Sequence, residues 1–138
     1  GSGYVTSSYT MLFDFSVPDI SKWRVFYQAR PGEEIEGEVY INGGKLGHDS
    51  YSPTAITANT NYRLVVVYEG SGDNHLYLDG ESFFRYNGYG EATKKLMPTI
   101  RFLTDGWGGY DHEMTVSTIA IWDRALSAAE IKALDKAE

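Results

Sequence analysis

Apolar and polar residues alternate along most of the chain, and this period of two predicts β-strands. Residues 11–17 and residues 23–29 both alternate in this way, so both stretches are predicted to be strands with one buried face. Trp23 is predicted to lie on the buried face of the second strand. Residues 62–69 are apolar at nearly every position, which favours a central strand covered on both sides. Shorter strands are predicted at residues 38–41, 45–51, 75–78, 81–86, 99–104 and 115–123.

Turn-forming residues separate these stretches. Asn42-Gly43-Gly44 predicts a turn between two short strands. Asp79-Gly80 predicts a type I′ hairpin turn, because both central residues of that turn need a positive φ. About eight to ten strands at this spacing, joined mainly by hairpins, indicate an antiparallel sandwich.

The C-terminal stretch changes from the strand period to the helix period. Ser127 and Glu130 form a capping-box pattern, in which each side chain accepts a hydrogen bond from the other residue's backbone N–H. Residues 128–134 carry apolar side chains at helical spacing. A helix this short is marginal on its own in water, so we expect it to pack across the sandwich and to hold Trp122 in place.

Three segments resemble a known family. Residues 119–131, IAIWDRALSAAEI, are similar to the C-terminal signature of laminin G-like, concanavalin A-like jelly-roll domains, and pentraxins end similarly. Residues 62–80 resemble the paired central strands of that family, and residues 9–15 resemble the strand that opens many bacterial members. The resemblance implies an all-β fold: an antiparallel jelly-roll β-sandwich with one short C-terminal helix, formed as a single domain by residues 4–138. Residues 1–3, Gly-Ser-Gly, are predicted to be a remnant of expression cloning.

Composition agrees with a turn-rich β protein and narrows the choice of partner. The 138 residues include 11 Tyr and 15 Gly, carry a formal net charge of −7, and contain no Cys. An acidic chain argues against nucleic acid and anionic membranes, which attract basic surfaces. No apolar run approaches the roughly 20 residues of a membrane span, so we expect no membrane insertion.

The glycine-rich segment 105–113 is the first candidate site. It holds three carboxylates, two aromatic residues and three glycines within nine residues. Calcium prefers several carboxylate and carbonyl oxygens, so we predict Asp105, Asp111 and Glu113 as ligands for Ca²⁺. The resemblance agrees, since pentraxins and some laminin G-like domains place a calcium-binding acid near Asp105. A solvated acidic turn is the alternative. Residues 73–74 form a weaker candidate for a cation site.

Exposed aromatic rings are the second candidate feature. Sugars stack on flat aromatic faces and are oriented by nearby polar groups. We predict such a role for aromatic residues close to turns: Trp107, Tyr110, Tyr86 and Tyr89. Tyr51, which lies near His48 and Asp49 in the sequence, has the same combination of a ring and polar neighbours. The alternative is that these tyrosines cover sheet edges.

The acidic run 33–38 raises the possibility of catalysis. Concanavalin A-like glucanases carry two catalytic carboxylates on one face of a strand, and Glu34 and Glu38 have the required spacing. However, Glu36 replaces the aspartate of that pattern, and Gly37 weakens the strand. The three histidines show no metal-ligand spacing, and Ser-His-Asp catalysis stays open.

The resemblance therefore implies a non-catalytic binding module for a glycan or another cell-surface ligand. Such a module would be attached to other domains of a larger parent protein at the cell surface or outside the cell. A structural or adhesive spacer that binds protein is the alternative function. A glycoside hydrolase that uses Glu34 and Glu38 is a further alternative.

Overall fold

A computed structural model of the protein describes residues 8–29, 31, 37–70, 73–87, 99–104 and 112–134. In these ranges the chain forms short antiparallel strands followed by one helix. In chain order they are β1 (Tyr9–Ser16), β2 (Arg24–Val25), β3 (Tyr27–Gln28), β4 (Tyr40–Asn42), β5 (Lys45–His48), β6 (Ser50–Tyr51), β7 (Tyr62–Tyr68), β8 (Asn74–Leu78), β9 (Glu81–Tyr86), β10 (Arg101–Phe102), β11 (Thr115–Trp122) and α1 (Ala128–Leu134).

The largest sheet has five strands in the order β11-β1-β7-β8-β9, and all four pairings within it are antiparallel. The other described strands form a four-stranded sheet, β2-β4-β5-β6, and the pair β10-β3. Strands β1 and β11 are far apart in the chain yet lie side by side, with Phe13 opposite Ile119. The predicted antiparallel all-β sandwich with one short helix is therefore confirmed.

The main core consists of buried apolar side chains contributed by both sheets. Alternate residues of β1 and β7 point into it, and Ile41 and Leu46 of the four-stranded sheet meet them from the opposite side. Aromatic rings make up much of this core, and Phe13 lies within 5.1 Å of Phe26, centroid to centroid. Burying this apolar surface is the dominant favourable term in folding.

A second, smaller cluster lies on the outer face of the five-stranded sheet. There Leu12 and Val65 pack against Leu126 and Ile131, and Trp122 is partly buried beside them. The capping box forms as predicted: Glu130 N–H donates to Ser127 Oγ at 3.1 Å, and Ser127 N–H donates to Glu130 Oε1 at 3.1 Å. The predicted packing of the helix across the sheet, next to Trp122, is confirmed.

The helix also covers polar residues of the strands beneath it. Arg63 donates to both carboxylate oxygens of Asp14, at 2.7 and 2.8 Å, and to the Leu134 carbonyl at 2.6 Å. These hydrogen bonds hold the pKa of Asp14 below its ordinary value, although burial opposes the shift. Strand β1 is thus buried on both faces, whereas its sequence pattern had predicted a strand buried on one face only.

Several predicted strands are shorter than expected. Residues 23–29 form two separate strands, β2 and β3, which pair in different sheets. Residues 45–51 are divided into β5 and β6 at Asp49, which has a φ of 63°. The predicted hairpin turn is confirmed, because Asp79 and Gly80 have φ values of 51° and 85°. Within the described ranges, no helix is both long enough and apolar enough to cross a membrane.

Candidate functional site

The outer face of the four-stranded sheet carries a row of aromatic side chains. Ile41 and Leu46 belong to the core, so their chain neighbours Tyr40 and Gly47 lie on the opposite, outer face. Gly47 pairs with Tyr40 on one side and with Tyr51 on the other. A side chain at Gly47 would not fit, because its Cβ would lie 2.0 Å from the Ser50 carbonyl oxygen, so only backbone separates the two tyrosines on this face.

The indole of Trp23 lies between these two tyrosines. Its ring centroid is 6.2 Å from that of Tyr40 and 5.9 Å from that of Tyr51, and both contacts are edge-to-face. Trp23 was predicted to belong to the core, and that prediction is wrong, because 36% of its surface is exposed. It precedes β2 and packs on the outside of the sheet. We call Trp23, Tyr40 and Tyr51 the aromatic platform. Its exposed ring is that of Trp23, whereas Tyr40 is buried at 3% exposure and supports the indole.

The platform has a fixed base. The Tyr40 hydroxyl accepts a hydrogen bond from the Gly37 N–H at 2.7 Å, and the His48 ring packs against the Tyr40 ring at 5.1 Å. A Cβ at Gly37 would lie 2.3 Å from Val25 Cγ2 and 2.8 Å from the Tyr27 carbonyl oxygen. The chain at Gly37 therefore passes so close to the sheet that only glycine fits without rearrangement.

Arg24 fixes the segment that precedes the platform. Its guanidinium donates to the carbonyls of Asp19 at 2.9 Å, Lys22 at 3.1 Å and Glu113 at 2.7 Å. It also forms an ion pair with the Asp19 carboxylate at 3.4 Å, while its own side chain is only 1% exposed. A buried guanidinium needs such partners, since an uncompensated charge is costly inside a protein. Trp23 is therefore held between two anchored neighbours.

Polar side chains lie close in the chain to the residues of the platform. Asp19 accepts from the N–H of Ser21 at 3.0 Å and from its hydroxyl at 2.8 Å, and these bonds lower the pKa of Asp19. Across the sheet, Asp49 and Ser50, the first residue of β6, are exposed and directly precede Tyr51. Carboxylates and hydroxyls beside a flat ring are the groups that a polyhydroxylated ligand needs for orientation.

Tyr86, one of the predicted stacking residues, is buried and cannot form a platform. Only 4% of its surface is exposed, and its hydroxyl donates to the Glu38 carbonyl at 2.8 Å. Asn74 Nδ2 donates to the same hydroxyl at 3.4 Å. Burial raises the pKa of Tyr86 well above its ordinary value, which fits an internal structural group.

The other predicted stacking residues, Trp107, Tyr110 and Tyr89, lie outside the described residues, as do the predicted calcium ligands Asp105 and Asp111. Glu113 is described and exposed. Before the segment 105–111, the Leu103 N–H donates a hydrogen bond to the Phe26 carbonyl at 2.9 Å. After it, the Glu113 carbonyl accepts a hydrogen bond from Arg24. Glu113 is thus anchored to the residue that follows Trp23, whereas Leu103 is anchored to a residue of the core.

The structure gives no support to the weaker cation candidate at residues 73–74. Asn74 is fully buried and its amide faces Tyr86, while Asp73 pairs with Arg85 at 3.7 Å. Elsewhere within the described ranges, no group of three His, Cys, Asp or Glu side chains converges to hold a metal ion.

The acidic run gives no support to hydrolysis. Glu38 is fully buried, so its carboxylate cannot reach a glycosidic bond, and Glu34 lies outside the described residues. Retaining and inverting mechanisms both require two carboxylates that flank the scissile bond. Glu38 therefore does not fit the role that its spacing in the sequence predicted.

A histidine and a serine meet on the outer face of the five-stranded sheet, but with the wrong proton arrangement for catalysis. Arg85 donates to His75 Nδ1 at 2.9 Å, so the neutral ring carries its proton on Nε2, which lies 2.7 Å from Ser82 Oγ. A general base needs an unprotonated nitrogen facing the serine hydroxyl. Burial and Arg85 both lower the pKa of His75.

Sequence reasoning named Tyr51 as a candidate but missed its partner Trp23. The missing signal is the pairing of Gly47 with Tyr40 and Tyr51, which depends on strand register and not on local pattern. A glycine inside a strand pattern is itself a sign of close approach, so Gly47 was the local indication of this site.

Solved structures share this fold at low sequence identity. A protein of Bacteroides ovatus, provisionally described as carbohydrate binding, superposes with a TM-score of 0.65 at 14% identity over 96% of this chain and 42% of its own. Trypanosoma rangeli sialidase superposes with a TM-score of 0.67 at 17% identity over 92% of this chain and 22% of its own. The chain thus spans less than half the length of these structures.

A botulinum neurotoxin type C structure superposes with a TM-score of 0.64 at 14% identity, over 95% of this chain and 36% of its own. Cell entry of that toxin is reported to depend on interaction with two ganglioside molecules. No curated protein matches the sequence. A laminin G family model, described as the concanavalin A-like lectin/glucanases superfamily, matches residues 5–132, and the chain therefore belongs to this family.

Proposed function

We propose that this domain is a non-catalytic carbohydrate-binding module and that the aromatic platform binds the sugar. The observation that carries the proposal is the exposed indole of Trp23, which lies edge-on between Tyr40 and Tyr51. An exposed and supported ring offers a flat apolar face to the C–H side of a sugar. The family and the carbohydrate-related structural neighbours support the same class of ligand.

The rigidity of the platform favours binding. A side chain that is ordered before binding loses little conformational entropy when the ligand arrives. Trp23 follows a turn that Asp19 and Arg24 fix through hydrogen bonds, and it is wedged between two rings. Asp49 and Ser50 then provide polar groups for the sugar hydroxyls. A spacer domain that binds no glycan has no need for an indole supported in this way.

The segment 105–113 is the proposed calcium-dependent part of the site. Asp105, Asp111 and Glu113 are its proposed ligands, and Trp107 and Tyr110 its proposed stacking residues. Glu113, the described member of this set, accepts a hydrogen bond through its carbonyl from Arg24, which follows Trp23 in the chain. A cation there would neutralise acidic groups that otherwise repel each other.

The domain is proposed to work outside the cell or at its surface, attached to other domains of a parent protein. A binding module in that position raises the local concentration of a glycan for the tethered domains. The buried carboxylate of Glu38 and the protonation of His75 both favour a binding role over catalysis.

Binding is tested by measuring affinity for a set of immobilised glycans in millimolar calcium. Trp23→Ala is expected to lower the affinity for a bound glycan at least about tenfold, and Trp23→Phe to lower it less, because it keeps a ring. Arg85→Ala, an exposed change on the other sheet, is the matched control. Unchanged affinity in Trp23→Ala, with loss in Trp107→Ala, would place the binding surface on the segment 105–113 alone.

Calcium is tested separately by calorimetry and thermal unfolding. A cation that binds the folded chain raises its melting temperature, and EDTA reverses the effect. Asp105→Asn and Asp111→Asn are expected to remove both the heat of binding and the melting shift. If calcium gives neither signal with the unchanged protein, the metal proposal is wrong, whereas the platform proposal stands on the glycan measurement.

A further inference from the structure

Two exposed lysines near the aromatic platform, Lys22 and Lys45, have no carboxylate partner among the residues that the structure describes. Most of the other basic side chains in the described ranges do pair with a carboxylate: Arg24, Arg63, Arg85, Arg124 and Lys132. Arg101 donates a hydrogen bond to Gln28 Oε1 at 3.3 Å instead. The two lysines without a partner are thus the ones that lie close to the exposed indole.

Strand register places Lys45 on the same face as the platform. Leu46 belongs to the core, so Lys45 lies on the outer face of the four-stranded sheet. Lys45 pairs with Asn42, the last residue of β4. Strand β2 lies on the other side of β4, and its register brings the residue before it, Trp23, to the same end of the sheet. Neighbouring strands are about 4.8 Å apart, so roughly 10 Å separates the backbones of Trp23 and Lys45.

Lys22 directly precedes the indole in the chain. Its carbonyl accepts a hydrogen bond from Arg24 at 3.1 Å, which fixes the backbone at this position. The carboxylate nearest to it in the chain, that of Asp19, already accepts two hydrogen bonds from Ser21 and pairs with Arg24. The ammonium group of Lys22 therefore stays available to a ligand that binds on Trp23.

The acidic composition of the chain makes these two lysines informative. The sequence contains 19 acidic residues and only 12 basic ones, so carboxylates are in excess. A charged hydrogen bond between an ammonium group and a carboxylate is stronger than a neutral one. Cations that find no carboxylate in an acidic chain, beside an exposed ring, indicate that the ligand supplies the carboxylate.

We propose that the aromatic platform binds a sugar that carries a carboxylate, and that Lys45 and Lys22 bind this group. The inference rests on the proposed carbohydrate-binding function and adds the class of sugar. The sugar ring lies on the indole of Trp23, with its carboxylate toward the turn between β4 and β5. Asp49 follows the other end of β5, about 13 Å from Lys45 along the strand, so the acidic group of the ligand is kept away from it.

A single carboxylate suits this surface better than a densely sulfated chain. A lysine ammonium is a compact point charge on a flexible stem, and one such group matches one anionic group. The net charge of −7 repels a polyanion as a whole. Salt screens this repulsion beyond about 8 Å at physiological ionic strength, so a single charge held next to a lysine is affected much less.

Calorimetric titration with two pairs of sugars tests the inference. An oligogalacturonate is compared with its neutral methyl ester, and sialyllactose is compared with lactose. We expect the acidic member of at least one pair to bind more tightly, and the pair that shows this preference identifies the source of the carboxylate. The preference should decrease as the salt concentration rises. Equal affinities within both pairs, or tighter binding of a heparin oligosaccharide than of either acidic sugar, would overturn the inference.

Substitution of the lysines tests their role. Lys45→Met and Lys22→Met remove the charge and keep an unbranched side chain. Each is expected to lower the affinity for the acidic sugar about two- to fivefold, the usual effect of one exposed ion pair, and to leave the affinity for the neutral sugar unchanged. Lys132→Met is the matched control, because Lys132 lies in the helix and pairs with Glu81. If both platform variants keep the full preference for the acidic sugar, the inference is wrong.

The same titrations separate this inference from the proposed function. Binding of the neutral sugar that is lost in Trp23→Ala, with no preference for the acidic sugar, would overturn the carboxylate inference and leave the platform in place. An absence of binding to every sugar in the glycan set would overturn both.

Discussion

Arg24 and Glu113 lie 89 positions apart in the sequence, and the Arg24 Nε–H donates to the Glu113 carbonyl at 2.7 Å. This bond joins the first residue of β2 to the segment before β11. Trp23 directly precedes Arg24 in the chain. Only His112 lies between the segment 105–111 and Glu113. One buried guanidinium thus connects the aromatic platform to the end of the proposed calcium-binding segment.

Arg24→Ala is expected to lower the free energy of unfolding by about 1.5–3 kcal/mol, the usual range for hydrogen bonds that involve a charged group. The Arg24 side chain is 1% exposed, so water does not replace its lost bonds in the folded state. The measurement is urea unfolding followed by tryptophan fluorescence. Arg85→Ala is the control, because Arg85 is 51% exposed and its change is expected to alter stability by less than about 0.5 kcal/mol. Equal effects of the two substitutions would show that the Arg24 bonds are not important for stability.

Local features of the fold were predictable from the sequence. The hairpin turn at Asp79-Gly80 and the capping box between Ser127 and Glu130 depend on residues within four positions of each other. The conformational preference of a turn or a cap is set by those residues themselves, so a pattern in the sequence was enough to predict each one.

The candidate site was less predictable, because it depends on pairing between distant residues. Trp23 shares the alternating pattern of residues 23–29, but the chain changes sheets after Val25, so the pattern did not describe one continuous strand. Tyr86 ends β9 close to a predicted turn, and only the distant Glu38 carbonyl explains why it is buried. Strand register determined both outcomes, and the local pattern did not contain it.

Ser127→Ala is expected to destabilise the domain by about 0.5–2 kcal/mol, the usual cost of losing an N-cap side chain. The substitution removes the acceptor for the Glu130 N–H, which lies 3.1 Å from Ser127 Oγ. Because the helix covers the second apolar cluster, its loss also exposes Leu126 and Ile131. Urea unfolding measures the change. Ser117→Ala, at an exposed position of β11, is the control and should alter stability much less.

Stability is expected to fall in acid partly through Glu130. Hydrogen bonds from Arg124, and then from the Ser127 N–H, lower the pKa of Glu130 from 4.5 to about 2 in the folded state. A carboxyl with a depressed pKa stabilises the folded state above its unfolded pKa, and this contribution is lost as the pH falls toward the folded value. The loss should therefore occur between pH 4.5 and about 2.

Urea unfolding across that range tests the pH prediction, with Glu130→Gln as the comparison. The glutamine variant cannot titrate at this position, so its stability should depend less on pH over the same interval. If the two proteins show identical slopes, Glu130 does not contribute to the acid sensitivity, and Asp14, whose pKa Arg63 also lowers, becomes the next group to test.

Gly37 and Gly43 provide a matched pair for testing how the platform is built. A Cβ at Gly37 would lie 2.3 Å from Val25 Cγ2 and 2.8 Å from the Tyr27 carbonyl oxygen, whereas a Cβ at Gly43 would meet nothing within 4 Å. Gly43 has a φ of 59°, so alanine there suffers backbone strain alone, about 1–2 kcal/mol. Gly37→Ala instead forces the chain away from the sheet, at a cost of about 1–3 kcal/mol.

The two substitutions therefore have similar expected costs in stability but different expected effects on binding. Gly37 donates to the Tyr40 hydroxyl at 2.7 Å, so its displacement moves the ring against which Trp23 packs. Glycan affinity should fall in Gly37→Ala and stay unchanged in Gly43→Ala, at temperatures where both variants are folded. Equal affinities in the two variants would mean that Tyr40 does not position the indole, and that Trp23 is supported by Tyr51 and Arg24 alone.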